Sequence, residues 1–149
     1  MGKANVNIVI AVDGSENALE AVRYAAELAS ANSEIRLHLL NVQAPLPSAA
    51  SSFVSQDVVR SFHQEEGEKC LKSARAVLDE RKIPYEFHVA VGNSAEAVVA
   101  YSREKSCAGI VMGTRGLSAL PSLLLGSVAT RVLHLAEVPV TLIPRKRLK

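Results

Sequence analysis

Gly113-Thr114-Arg115-Gly116 is followed, after nine residues, by Gly126-Ser127-Val128, a spacing suited to cradling an anion. Gly113 and Gly116 carry no Cβ, so the backbone there can turn sharply and approach a bound group closely. Gly126-Ser127 opens an expected helix, whose first N–H groups lack internal acceptors and carry the positive end of the helix dipole. Phosphate suits such an end, with the Ser127 hydroxyl as a further donor and Arg115 as a charged contact. Asp13 ends the first apolar run, where a carboxylate can accept hydrogen bonds from ribose hydroxyls. Val42 ends the second run, and its backbone N–H and C=O could meet an adenine edge. Taken singly, a glycine pair is a turn, a serine an N-cap, and Asp-Gly-Ser a strand ending. Their convergence on one crevice points to a nucleotide.

Other chemistries find less support. His38, His63, His88 and His134 fall in different elements, with no i,i+4 pair and no HExxH, so no metal site is expected, and His38 and His88 read as polar positions on strands near the sheet margin. Cys70 and Cys107 lack CxxC spacing, which suits a reducing, cytoplasmic compartment. Ser127 has no GxSxG elbow around it. A Walker GxxxxGK[ST] pattern and an acidic pair for magnesium are both missing, so no catalytic residue is assigned. Slow ATP hydrolysis, with bound magnesium and Ser127 positioning water, is the remaining enzymatic reading. A glycine-rich loop after the first strand, as in ATP-pyrophosphatases, is not matched by Asp13-Gly14-Ser15-Glu16. A receiver domain needs an aspartate after its third strand, where this chain has Val91-Gly92-Asn93.

The elements that must position these groups alternate short apolar runs with helical periods. Residues 6–12 read as a strand apolar on both faces, hence central. Ser15 is a plausible N-cap for a helix with Leu19, Val22, Ala26 and Ala29 along one face. A strand over 35–42 leads into a Pro- and Ser-rich loop, 44–52. A long helix over about 54–82 presents Val58, Phe62, Cys70, Ala74, Val77 and Leu78 inward, and Gly67 interrupts it at a point where it could break. Residues 85–91 alternate like an edge strand, and a helix from Ser94 to about Lys105 follows. Residues 109–113 form a second central strand, 127–136 the last helix and 138–143 the last strand. This βα alternation predicts one domain over 1–149: a doubly wound, five-stranded parallel sheet with helices on both faces. The central first and fourth strands favour the order 3-2-1-4-5, with a ligand crevice where the chain reverses. Pro139 cannot donate to a ladder, which puts the strand bounded by Val138 and Ile143 at an edge. Pairing with a second copy would cover it and give a homodimer.

Composition narrows the partners. Only 4% of the 149 residues are aromatic and none is Trp, which suits helices on an aliphatic sheet and not a stacking platform for nucleic acid. Four of the 17 basic residues, Arg145, Lys146, Arg147 and Lys149, lie in the last five positions. Without them 13 basic residues stand against 15 acidic ones, so the net +2 belongs to a tail over 145–149. No basic nucleic-acid face is implied. No stretch approaches the roughly 20 apolar residues of a membrane span, and no N-terminal signal is read.

The full spacing Gly113-x2-Gly116-x9-Gly126-Ser127 resembles the nucleotide-binding signature of the universal stress protein family. Val12-Asp13-Gly14-Ser15-Glu16, the segment from Ile110 to Gly116, and Val138-Pro139-Val140 are similar to family segments, so the resemblance covers nearly the whole chain. It implies the 3-2-1-4-5 sheet, a dimer through the last strands, a role in stress survival, and membership of the ATP-binding branch. Carried over by motif, Ala11, Val12 and Asp13 line the adenosine side and Val42 meets adenine. Met112, Gly113, Arg115, Gly116, Gly126, Ser127 and Val128 surround ribose and phosphates. ATP, with magnesium, is then a bound switch more than a substrate, with AMP and cyclic nucleotides as alternative ligands. Pro121-Ser122 departs from relatives that carry a basic residue there, which removes positive charge near the phosphates. The competing reading is a dimeric docking module whose glycine loop binds nothing.

Overall fold

A computed structural model describes residues 5–116 and 125–146. Its five strands are β1 (Val6–Ala11), β2 (Ile35–Gln43), β3 (Tyr85–Val91), β4 (Gly109–Gly113) and β5 (Val140–Ile143). All pair in parallel in the order β3-β2-β1-β4-β5, as the alternating pattern predicts. Helices α1 (Glu16–Ala31) and α3 (Gln56–Glu80) cover one face of the sheet, and α4 (Ser94–Glu104) and α5 (Ser127–Leu135) cover the other. The short α2 (Ser48–Ser51) is a single turn inside the segment expected to be a loop.

Strand alternation sorts the core into two layers. Ile10, Leu37, Leu39 and Val111 face α1 and α3, while Val9, Leu40, Ile110 and Met112 face α4 and α5. Both faces of β1 and β4 are therefore apolar, which is why these strands read as continuous hydrophobic runs. Ser15 caps α1 by accepting from the Ala18 amide at 3.1 Å. Ala18, Ala21, Ala25 and Ala26 form its buried stripe and let the helix lie close to the sheet.

The inward stripe of α3 differs from expectation. His63, Gly67, Leu71, Ala74 and Leu78 are buried, whereas Val58 and Phe62 are 55% and 44% exposed. Length explains this. At about 1.5 Å per residue the 25-residue helix is far longer than the seven-residue β3, so its first turns run past the sheet. Gly67 does not break the helix either. It lies directly against β3, where an added Cβ would overlap both γ-methyls of Val89.

His38 also departs from expectation, because it is not a marginal polar residue. It is 2% exposed beneath α4, its Nδ1 is 2.8 Å from Tyr101 Oη, and its Nε2 is 3.7 Å from Glu86 Oε2. The His88 ring stacks on Tyr101 at 5.8 Å. Burial pushes the His38 imidazole below its ordinary pKa against the opposing pull of Glu86, and Lys105 nearby adds to the lowering. The same burial pushes the Tyr101 phenol up to about 12.

Two expected outcomes test this packing. Gly67→Ala gains about 1 kcal/mol of helix propensity but forces an overlap that costs about 1–3 kcal/mol. Urea unfolding should therefore show a net loss, turning to a gain when Val89→Ala is added. Greater stability of the single variant would place α3 farther from β3. For His38 the unfolded state takes up its proton first as pH falls through about 6.5. Its contribution is complete above that pH and is lost progressively toward the lower folded pKa. Unfolding free energy should fall between pH 7.5 and 5.5, and the slope should flatten in the His38→Phe, Tyr101→Phe double variant. An unchanged slope would reject His38 as its source.

Candidate functional site

The chain leaves β1 toward β2 on one side, while β4 and β5 lie on the other. A cavity of about 480 Å³ opens beyond the C-terminal ends of β1, β2 and β4. All eleven residues singled out from the sequence line it: Ala11, Val12, Asp13, Val42, Met112, Gly113, Arg115, Gly116, Gly126, Ser127 and Val128. They come from four separate segments, and the sheet order is what brings them together. The volume lies within the range usual for small-molecule sites.

The cavity has two chemically distinct ends. Ala11, Leu40, Val42 and Val98 make an apolar wall, joined by Ser94 at the start of α4. Opposite lie the turn after β4 and the N-terminus of α5. Gly126 is the N-cap of α5 and supplies no capping side chain, and the first turn of the helix, Gly126 to Ala129, lines the cavity. The Gly126 amide donates to Thr114 O at 2.7 Å, which closes the turn against the helix start. Asp13 accepts from the Ser15 amide through Oδ1 at 2.9 Å. A Cβ on Gly116 would stand 2.7 Å from Asp13 Oδ2, so the absence of a side chain there lets carboxylate and turn approach. Such a cavity can hold a ligand with an apolar planar part, a hydroxylated middle and an anionic end.

Several contributors escaped sequence reasoning. Ala18, Leu40, Ser94, Val98, Thr114 and Ala129 also line the cavity; Thr114 stands inside the glycine motif, and the others carry no signal beyond their helix or strand. Asn17 and Asn41 support it from behind. Asn17 Nδ2 donates to Ile143 O at 2.9 Å, and its Oδ1 accepts from the Arg115 amide at 3.0 Å. Asn41 Nδ2 donates to Val12 O at 2.8 Å and Oδ1 accepts from Gln43 Nε2 at 2.7 Å. Polar residues at otherwise apolar positions, just before strand ends or just inside a helix, were the available clue. The spacer residues Pro121 and Ser122 lie outside the described residues.

Residues 5–144 match the model of the Universal stress protein family. The chain belongs to that family. Among relatives, the universal stress protein MJ0531 of Methanocaldococcus jannaschii is 30% identical over 142 residues, covering 94% of this chain and 82% of its own length. The universal stress protein YxiE of Bacillus subtilis is 30% identical over 144 residues, covering 91% and 97%. Among solved structures, a universal stress protein in complex with cAMP is 26% identical with a TM-score of 0.71, covering 95% of this chain and 98% of that one. Family membership thus extends over every described strand and helix, and the cavity lies within the shared span.

Proposed function

We propose that this protein binds an adenine nucleotide, ATP with magnesium as the leading ligand, and that occupancy acts as a regulatory switch in a stress response. The observation that carries the reading is the two-ended cavity. An apolar wall suits a purine, Asp13 could accept from ribose hydroxyls, and glycine amides with the α5 N-terminus suit phosphates. The solved relative in complex with cAMP supports the adenine choice. Among the described residues no group of three His, Cys, Asp or Glu gathers to hold a metal, so magnesium would enter on the phosphate oxygens. The reading is of a binding protein and not a catalyst. Occupancy would bias the segment 44–52, which leaves the apolar end of the cavity after β2, and the spacer after Gly116.

Self-association through β5 belongs to the same proposal. That strand lies at the sheet edge, as expected, although it begins at Val140; Val138 and Pro139 precede it. Pro139 O accepts from the Ile110 amide at 3.0 Å, so the proline still serves the ladder through its carbonyl. Among the described residues no helix is long and apolar enough to cross a membrane.

Calorimetric titration of nucleotide-stripped protein with ATP and magnesium should give saturable binding near one per chain. Asp13→Ala should weaken it at least tenfold, since a hydrogen bond to a charged group contributes about 1.5–3 kcal/mol. Absence of heat at millimolar ATP, AMP and cAMP would favour the docking module instead. Sedimentation at micromolar concentration should show a dimer. A wild-type monomer would remove β5 as the interface.

A further inference from the structure

Asn17 is 4% exposed, yet it sits in the first turn of α1 and belongs to neither apolar layer. Its side chain spans three segments that are far apart in the sequence. Oδ1 accepts from the Arg115 amide at 3.0 Å and lies 3.4 Å from Thr114 Oγ1, while Nδ2 donates to Ile143 O at 2.9 Å. Ile143 O also accepts from the Thr114 amide at 3.0 Å, so the turn after β4 and the end of β5 share one acceptor. Gly113 adds a fourth constraint. A Cβ there would stand 2.6 Å from Asn17 Cγ and under 3.0 Å from both amide heteroatoms. The carboxamide therefore occupies the space a side chain at position 113 would need.

We infer that Asn17 is a positioning residue that holds the turn from Thr114 to Gly116 in its cavity-facing form and ties that turn to the edge strand β5. A ligand in the cavity and the order of β5 are then coupled through this side chain, which reinforces the backbone bond from Thr114 to Ile143. A buried carboxamide with donor and acceptor both used fixes two backbones relative to each other; losing it strands the Arg115 amide and leaves Ile143 O with the Thr114 amide alone. Reciprocity follows: whatever orders β5 strengthens ligand binding by the same factor. The ligand side of this coupling rests on the nucleotide reading; the tie between turn and strand does not.

The test compares wild type with Asn17→Ala, with the near-isosteric Asn17→Asp, and with Val22→Ala. An ionised aspartate keeps the volume but cannot donate to Ile143 O, so it remains informative where alanine fails to fold. Val22 is fully buried in the same helix and lies outside the cavity lining, so it reports simple loss of packing. In ligand-free protein, hydrogen exchange at residues 140–143, normalised to global stability, should be at least tenfold faster in both Asn17 variants than in Val22→Ala, and at the Arg115 amide in Asn17→Ala alone, because an aspartate still accepts from it. AMP should slow exchange at 140–143 in wild type and in Val22→Ala. In the Asn17 variants that protection should shrink at least threefold, with affinity for AMP at least tenfold weaker. Equal exchange in the Asn17 and Val22 variants overturns the inference, as does AMP binding to wild type without effect on 140–143. If wild type binds no nucleotide, the proposed function fails, while ligand-free exchange still decides whether Asn17 ties turn to strand.

Discussion

The reversal of chain direction at β1 is the constraint from which the rest follows. In a parallel sheet each connection must cross a face and return to the opposite end. Once β2 and β3 are laid on one side of β1, and β4 and β5 on the other, the connections leaving β1 and β4 diverge. No crossover can then fill the space beyond those two strand ends. The cavity is therefore a product of topology before it is a product of side chains. Sequence acts afterward, by deciding what stands at each strand end. Asp13, Val42 and Gly113 matter because of where the sheet delivers them.

Small residues and asparagines then set how closely the pieces meet. The alanine stripe of α1 lets the helix sit near β1 and β4, which brings Asn17 within reach of the turn after β4. Asn41 does the corresponding service at Val12. A buried amide left unpaired costs about 1–3 kcal/mol, so both positions are tolerable only because strand-end carbonyls and amides complete them. The turn at Arg115 and the end of β1 are thus braced by side chains that need not contact any ligand. Bracing of this kind allows a glycine turn to hold one shape despite the freedom that glycine brings.

Much of this was legible in the sequence, and the failures share a cause. Strands apolar on both faces marked β1 and β4 as central, the alternation in β3 marked an edge, and helical periods filled the intervals. The eleven lining residues were reachable because glycine spacing and strand endings are local signals. The stripe of α3 was not, since periodicity cannot reveal that a helix outruns the strand beneath it. That relation moved Val58 and Phe62 outward and brought His63 and Gly67 inward. His38 was misplaced for a similar reason. Histidine reads as polar and marginal until a partner such as Tyr101, 63 positions away, is seen to receive it. Asn17 looked like any residue in a first helical turn, because its three partners come from the far end of the chain.

The two ends of the cavity border different parts of the molecule, and this bears on how occupancy could be read out. The apolar wall belongs to β1, β2 and α4, deep in the sheet and away from β5. The turn after β4 and the start of α5 lie on the side of the edge strand, joined to it through Ile143 O. On the proposed reading a purine would anchor against the rigid side, where buried leucine and valine side chains have little room to shift. The anionic end would press on the side where one carboxamide links turn to edge. Ligands sharing a base but differing in their phosphates would then dock alike and differ in what they impose on β5. Recognition and response would be divided between the two halves of the sheet, and the reversal at β1 is what separates them.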